Sequence, residues 1–151
     1  MPNVTPHNPD YVAAVHAAFE RQPFMGFLGA QVAIVEPGFV ELRLAYRDEI
    51  GQNHGYFHGG VLGAIADTAG GFAGFSLMPA GSSVLTAEYK INIIAPGKGA
   101  ELIGRGRVLS AGRTLIFTEA RLFVRNGERE TLCAVALQTL RGKSGGPGVA
   151  F

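Results

Sequence analysis

Between Asn53 and Asp67 the chain reads Asn53-His54-Gly55-Tyr56-Phe57-His58-Gly59-Gly60-Val61-Leu62-Gly63-Ala64-Ile65-Ala66-Asp67, a polar, glycine-rich loop running into an apolar segment with one acid. The two parts are chemically complementary. Backbone N–H groups at a helix start can hold a developing oxyanion, and a lone carboxylate in an apolar helix is costly unless something needs it. On a helical wheel Val61, Ile65, Phe72 and Phe75 make a bulky stripe, while Gly60, Gly63, Ala64, Asp67, Gly70, Gly71 and Gly74 make a small one. An interior helical glycine costs roughly 1 kcal/mol relative to alanine. Five within fifteen residues therefore imply a close approach, with something packed along the groove and Asp67 at its middle. The alternative is that the glycines let a sheet wrap tightly and that Asp67 is a satisfied buried polar group.

Spacing adds a constraint. At about 1.5 Å rise per residue, Gly59 and Asp67 of one helix lie roughly 12 Å apart, too far for both to touch one carbonyl. Two antiparallel helices related by a twofold axis remove the difficulty, because each Asp67 then faces Gly59 of the partner subunit. A monomer is expected to be inactive.

Other reactive side chains carry weaker signals. His54 and His58 stand four apart upstream of Asp67, but no third ligand follows at regular spacing, so no metal is expected. His58 also suits a bonding role to the loop backbone at the helix start. Cys133, the single cysteine, has apolar neighbours and reads as a small buried hydrophobe; no intramolecular disulfide is possible.

The elements that position these residues follow from periodicity. Tyr11, Val12, Val15, Ala18 and Phe19 have helical spacing, which predicts one amphipathic helix from about Pro9 to Arg21. After Pro23, Ala30 to Val35 and Phe39 to Tyr46 read as strands joined at Glu36-Pro37-Gly38. The stretch from Val61 to Leu77 reads as the buried central helix, being slightly short for a membrane span and carrying Asp67 and Thr68. Four strands follow, Val84 to Ile94, Glu101 to Ser110, Thr114 to Arg125 and Glu128 to Leu140. The last three form a hairpin-linked meander with Asn126-Gly127 the strongest turn signal. An antiparallel sheet wrapped around the helix is the arrangement that buries both, an α+β class. Residues 141–151 read as a flexible tail.

With 151 residues, 47% apolar and 17% charged, the chain is expected to fold as one domain spanning 1–151. A formal charge of +1 gives no footprint for nucleic acid. No signal peptide or membrane segment is recognised, which makes the cytoplasm the expected location.

The asparagine, the His-Gly-Gly at the start of an apolar helix and an Asp eight residues after the first glycine together resemble the hotdog-fold thioesterases of the PaaI-like acyl-CoA type. The strand Thr86-Ala87-Glu88-Tyr89-Lys90-Ile91-Asn92-Ile93-Ile94-Ala95-Pro96 looks like that family's post-helix strand, and Gly112-Arg113-Thr114 like its following hairpin start. The resemblance covers roughly residues 25 to 140. It implies a six-stranded hotdog sheet around the long helix, and hydrolysis of acyl-CoA without a cofactor, coenzyme A entering as part of the substrate. Carried over by position, Gly59 donates its N–H to the thioester carbonyl and Gly60 contacts the substrate beside it. Asp67 attacks or activates water, Asn53 orients that water or the carbonyl, and Thr86 holds the water or the carboxylate. Arg113 meets a coenzyme A phosphate. The family also implies a homodimer, doubled into a homotetramer. Two other activities share the groove: non-hydrolytic acyl-CoA binding, and hydratase-type chemistry on enoyl-CoA with His58 as general base. Thr86 shares its strand parity with Glu88 and Lys90 rather than with the apolar set Leu85, Ala87, Tyr89, Ile91 and Ile93. It therefore faces the dimer side, or a bulge turns it.

Overall fold

The computed structural model describes residues 5–144. In chain order its elements are α1 (Tyr11–Glu20), α2 (Pro23–Leu28), β1 (Gln31–Glu36), β2 (Phe39–Ala45), a 3₁₀ turn (Asp48–Ile50), α3 (Gly59–Phe75), β3 (Ser83–Ile93), β4 (Glu101–Ala111), β5 (Leu115–Asn126) and β6 (Arg129–Lys143). The strands form one sheet, ordered β1-β2-β4-β5-β6-β3 and antiparallel throughout. The sheet curls around α3, the α+β arrangement expected of the sequence. No helix among the described residues is long and apolar enough to cross a membrane.

Alternation along the strands makes the core. Val40, Leu42 and Leu44 of β2, Leu102 of β4 and Leu122 and Val124 of β5 are buried against Ile65, Ala66, Ala69 and Phe72 of α3. Each such aliphatic side chain contributes roughly 1.5–3 kcal/mol. The β5–β6 hairpin turns at Asn126-Gly127, where Gly127 has φ 59°. Pro23 does more than end α1: at the first position of α2 its fixed φ is already helical, so a second short helix forms where none was expected.

Three sequence expectations change. β6 runs to Lys143, so Arg141, Gly142 and Lys143, assigned to the tail, are paired with Leu85, Val84 and Ser83 of β3. The remainder of that tail, 145–151, lies outside the described residues. α3 starts at Gly59 and ends at Phe75, two residues earlier at each end than the apolar stretch suggests. The small-residue stripe is divided among several neighbours rather than forming one groove. A methyl on Gly70 would fall 2.0 Å from Gln138 Oε1, and one on Gly74 2.5 Å from Leu140 Cδ1, so these two admit the chain's own sheet. Gly63 lies under the Tyr89 hydroxyl, and a methyl on Gly71 would meet nothing within 4 Å.

A close approach of backbone to backbone comes from the sheet itself. Gly106 of β4 sits so near α3 that a methyl on it would be 2.2 Å from the Ala69 carbonyl oxygen, and one on Gly104 would be 2.5 Å from Ile65 Cγ2. On the outer face Glu41, 2% exposed, is held at 2.8 Å by both Arg43 and Arg105. Arg105 also pairs with Glu130 and stacks over Phe123. β3 is an edge strand, and Leu85, Tyr89 and Ile93 on it are exposed.

Candidate active site

Asp67 lies in the middle of α3, half-buried, with its carboxylate turned toward β3 and β6. Two donors converge on one of its oxygens. Thr86 Oγ1 donates to Asp67 Oδ1 at 2.6 Å, and Gln138 Nε2 donates to the same atom at 2.6 Å. Gln138 Nε2 also reaches the Asp67 backbone carbonyl at 2.9 Å, while its Oε1 accepts from Thr118 Oγ1 at 2.9 Å. Oδ2 has no hydrogen bond among the described residues. The carboxylate is thus fixed through one oxygen and open at the other, the condition for a base or nucleophile held in place.

A β-bulge makes this possible. Thr86 pairs with Leu140 and Glu88 with Thr139, so Ala87 is an extra residue on β3. Thr86 and Glu88 share parity but face opposite sides. Thr86 turns inward with Tyr89, Ile91 and Ile93, and Glu88 bonds Thr139 on the outside. Of the two positions left open for Thr86, the bulge is the one found.

Gly59 is the first residue of α3, and its N–H makes no hydrogen bond among the described residues. His58 is the N-cap, its Nδ1 accepting from Gly60 N at 2.9 Å. In the neutral ring this leaves the proton on Nε2. The Gly60 amide, read beforehand as touching substrate, is thereby engaged within the chain. The loop before the helix is tied down by Phe57 N donating to Gly97 O at 2.8 Å and His58 N to Ile50 O at 3.1 Å. Asn53 is exposed on that loop, its Nδ2 3.4 Å from His54 Nε2.

These residues gather in separate places. Asp67 and Thr86 wall a cavity of about 420 Å³ between the end of α1, α3 and the start of β3. Gly59 walls another of about 290 Å³ with Tyr56, Leu62, Ile93 and Gly97. Arg113 walls a third, of about 500 Å³, with His7 and Met78. No residue is common to any two of them. The amide and the carboxylate of one chain therefore open on different spaces, as the eight-residue spacing requires.

Gln138 was missed in the sequence. Its signal was a polar residue in the inward set Ala134, Ala136, Gln138 and Leu140 of β6, three of them buried hydrophobics. Cys133, fully buried and 3.3 Å from the Leu122 carbonyl, has its thiol pushed up to about 11 by burial, which leaves it inert.

The profile of the thioesterase superfamily matches residues 54–133. An esterase-named protein of Saccharolobus solfataricus is 30% identical over 128 residues, 85% of this chain and 83% of its own. The proofreading thioesterase EntH of Klebsiella pneumoniae is 26% identical over 85% of this chain and 93% of its own. Among solved structures, a thioesterase family protein from Silicibacter pomeroyi superposes with a TM-score of 0.87 at 36% identity, covering 89% of this chain and 99% of that one. The E. coli PaaI protein of the phenylacetic acid degradation operon shares the fold, with a TM-score of 0.82 at 19% identity over 93% and 98% of the two chains. With its six-stranded antiparallel sheet closed around α3 in the hotdog fold, the chain belongs to the thioesterase superfamily.

Proposed function

We propose that the protein hydrolyses acyl-CoA thioesters to free acid and coenzyme A at sites completed by two chains. The observation that carries this reading is the Asp67 carboxylate, gripped through Oδ1 by Thr86 and Gln138 and free at Oδ2 on a cavity wall. The Gly59 N–H, at the positive end of α3, polarises the thioester carbonyl and holds the oxyanion. Asp67 of the partner subunit attacks the carbonyl carbon or takes a proton from the attacking water. Asn53 orients that water or the carbonyl. With Asp67 as base, the C–S bond breaks as the tetrahedral intermediate collapses and the proton taken from water goes to the thiolate. With Asp67 as nucleophile, collapse leaves a mixed anhydride on Asp67, which water hydrolyses to free the acid and regenerate the carboxylate while one proton passes to the thiolate. Water is the only co-reactant on either route. A thioester has a good leaving group, and an oxyanion donor with one carboxylate suffices.

The minimal unit in this reading is a homodimer, doubled into a homotetramer. The exposed Leu85, Tyr89 and Ile93 on edge strand β3 favour pairing with a second copy, and pairing there places two α3 helices near one another. Arg113 reaches a coenzyme A phosphate only if the assembly brings it to the site.

The test is a free-thiol assay over aryl and alkyl CoA thioesters, comparing wild type with Asp67→Asn. The variant is expected to lose at least about 100-fold in kcat. Absence of hydrolysis across the panel, or an Asp67→Asn variant as fast as wild type, rejects the assignment. Sedimentation run beside the assay tests the shared site, since a fully active monomer is incompatible with it.

A further inference from the structure

We infer that the cavity beside Asp67 receives the acyl group and reads a carboxylate at that group's far end through Arg21; this rests on the thioesterase reading above. The cavity, about 420 Å³, is of a size for a short acyl chain rather than for coenzyme A. One wall is apolar, with Ala18, Phe72 and Phe75. One turn beyond Asp67 the helix presents Gly71, where a methyl would meet nothing within 4 Å, so the space continues away from the carboxylate.

Two charged side chains line this cavity, Asp67 and Arg21, and they are not alike in their surroundings. Asp67 has its donors in Thr86 and Gln138. Arg21, at the C-terminal end of α1, forms no ion pair with Asp67 or with any other acid among the described residues. Ser82 lines the same cavity, although its hydroxyl oxygen is itself closed off and has no hydrogen-bond partner among the described residues. The Arg21 guanidinium, exposed on this cavity and without an acid partner among the described residues, is the donor a carboxylate entering the space accepts from. Repulsion from Asp67 directs such a carboxylate to the Arg21 end, which leaves the thioester end of the acyl group near Asp67. The fitting substrate is thus a monothioester of a short dicarboxylic acid.

The experiment compares kcat/KM for succinyl-, glutaryl- and adipyl-CoA with that for butanoyl-, pentanoyl- and hexanoyl-CoA. Wild type is expected to favour the carboxylate-ended member of at least one pair by on the order of tenfold, the scale of one charge-assisted hydrogen bond. Arg21→Met is expected to collapse that ratio toward unity through a raised KM for the carboxylate-ended substrate, and Arg21→Lys to restore part of it. Arg21 is exposed, and a purely structural role at the end of α1 would move stability and leave the ratio alone. Hydrolysis of the methyl-ended esters with no preference, or a preference that survives Arg21→Met, overturns this inference and leaves the thioesterase reading standing. If none of the six esters nor any aryl ester is cleaved, both fall.

Discussion

Gln138 is the buried polar residue on which the site depends most, and replacing it by methionine keeps its length while removing every hydrogen bond it makes. At 3% exposure it bridges Asp67 of α3 and Thr118 of β5 from its place on β6. The bond to the Asp67 carboxylate is worth roughly 1.5–3 kcal/mol, that to the backbone carbonyl about 1 kcal/mol, and an orphaned Thr118 hydroxyl costs about 1–3 kcal/mol. Because these terms share one network they do not add fully, and Gln138→Met is expected to lose about 3–5 kcal/mol. Thr118→Val added to it removes the orphan, so the double variant is expected to recover about 1–2 kcal/mol instead of losing more. Urea unfolding followed by far-ultraviolet circular dichroism, at one fixed protomer concentration, measures both. A loss below about 1 kcal/mol for the single variant, or a double variant that is the less stable of the two, refutes the assignment of Gln138 as the bridge.

Gly106→Ala forces a methyl to within 2.2 Å of the Ala69 carbonyl oxygen, so α3 must lift from the sheet; a loss of about 3 kcal/mol, or roughly 6–12 °C in Tm by calorimetry, is expected. Cys133, with its thiol pushed up to about 11, is expected to resist a thiol reagent at pH 8 in the folded protein and to take one equivalent in urea. Prompt labelling without denaturant would contradict its burial. The Arg105 guanidinium bonded to Glu130 holds that carboxyl below its ordinary value of 4.5. The unfolded chain therefore binds the proton first as pH falls, so the contribution is complete above about 4.5 and is lost as pH drops toward the folded value. Glu130→Gln is expected to lower Tm near neutrality and to converge with wild type at acid pH, once Glu130 is protonated in the folded chain as well, in melts at low salt.

The parts of the fold legible in the sequence were those with a strong local signal. The central helix follows from a long apolar stretch, the meander from alternation closed by Asn126-Gly127, and the separation of Gly59 from Asp67 from helical rise alone. What escaped depends on tertiary pairing. The strand parity of Thr86 points the wrong way because Ala87 is extra, and nothing local in Leu85-Thr86-Ala87-Glu88 marks a bulge. For Gly70 and Gly74 the sequence left open a packed groove or a tightly wrapped sheet, since a helical wheel does not say which neighbour a small face meets; the chain's own Gln138 and Leu140 are what they meet, so at these two positions the sheet is the reason. Gln138 is seventy-one residues from Asp67, and only the placement of β6 beside β3 joins them.

The bulge at Ala87 also bears on solubility. A sheet with open ends invites further strands, and here both ends are interrupted: β3 by Ala87 and β1 by Ala33, each an extra residue opposite an unbroken neighbour. The regular part of the β3 edge beyond the bulge is thereby confined to Glu88–Ile93, which shortens the stretch an added strand can match in register. The residue that aims Thr86 at the acid thus also limits how far the sheet can grow.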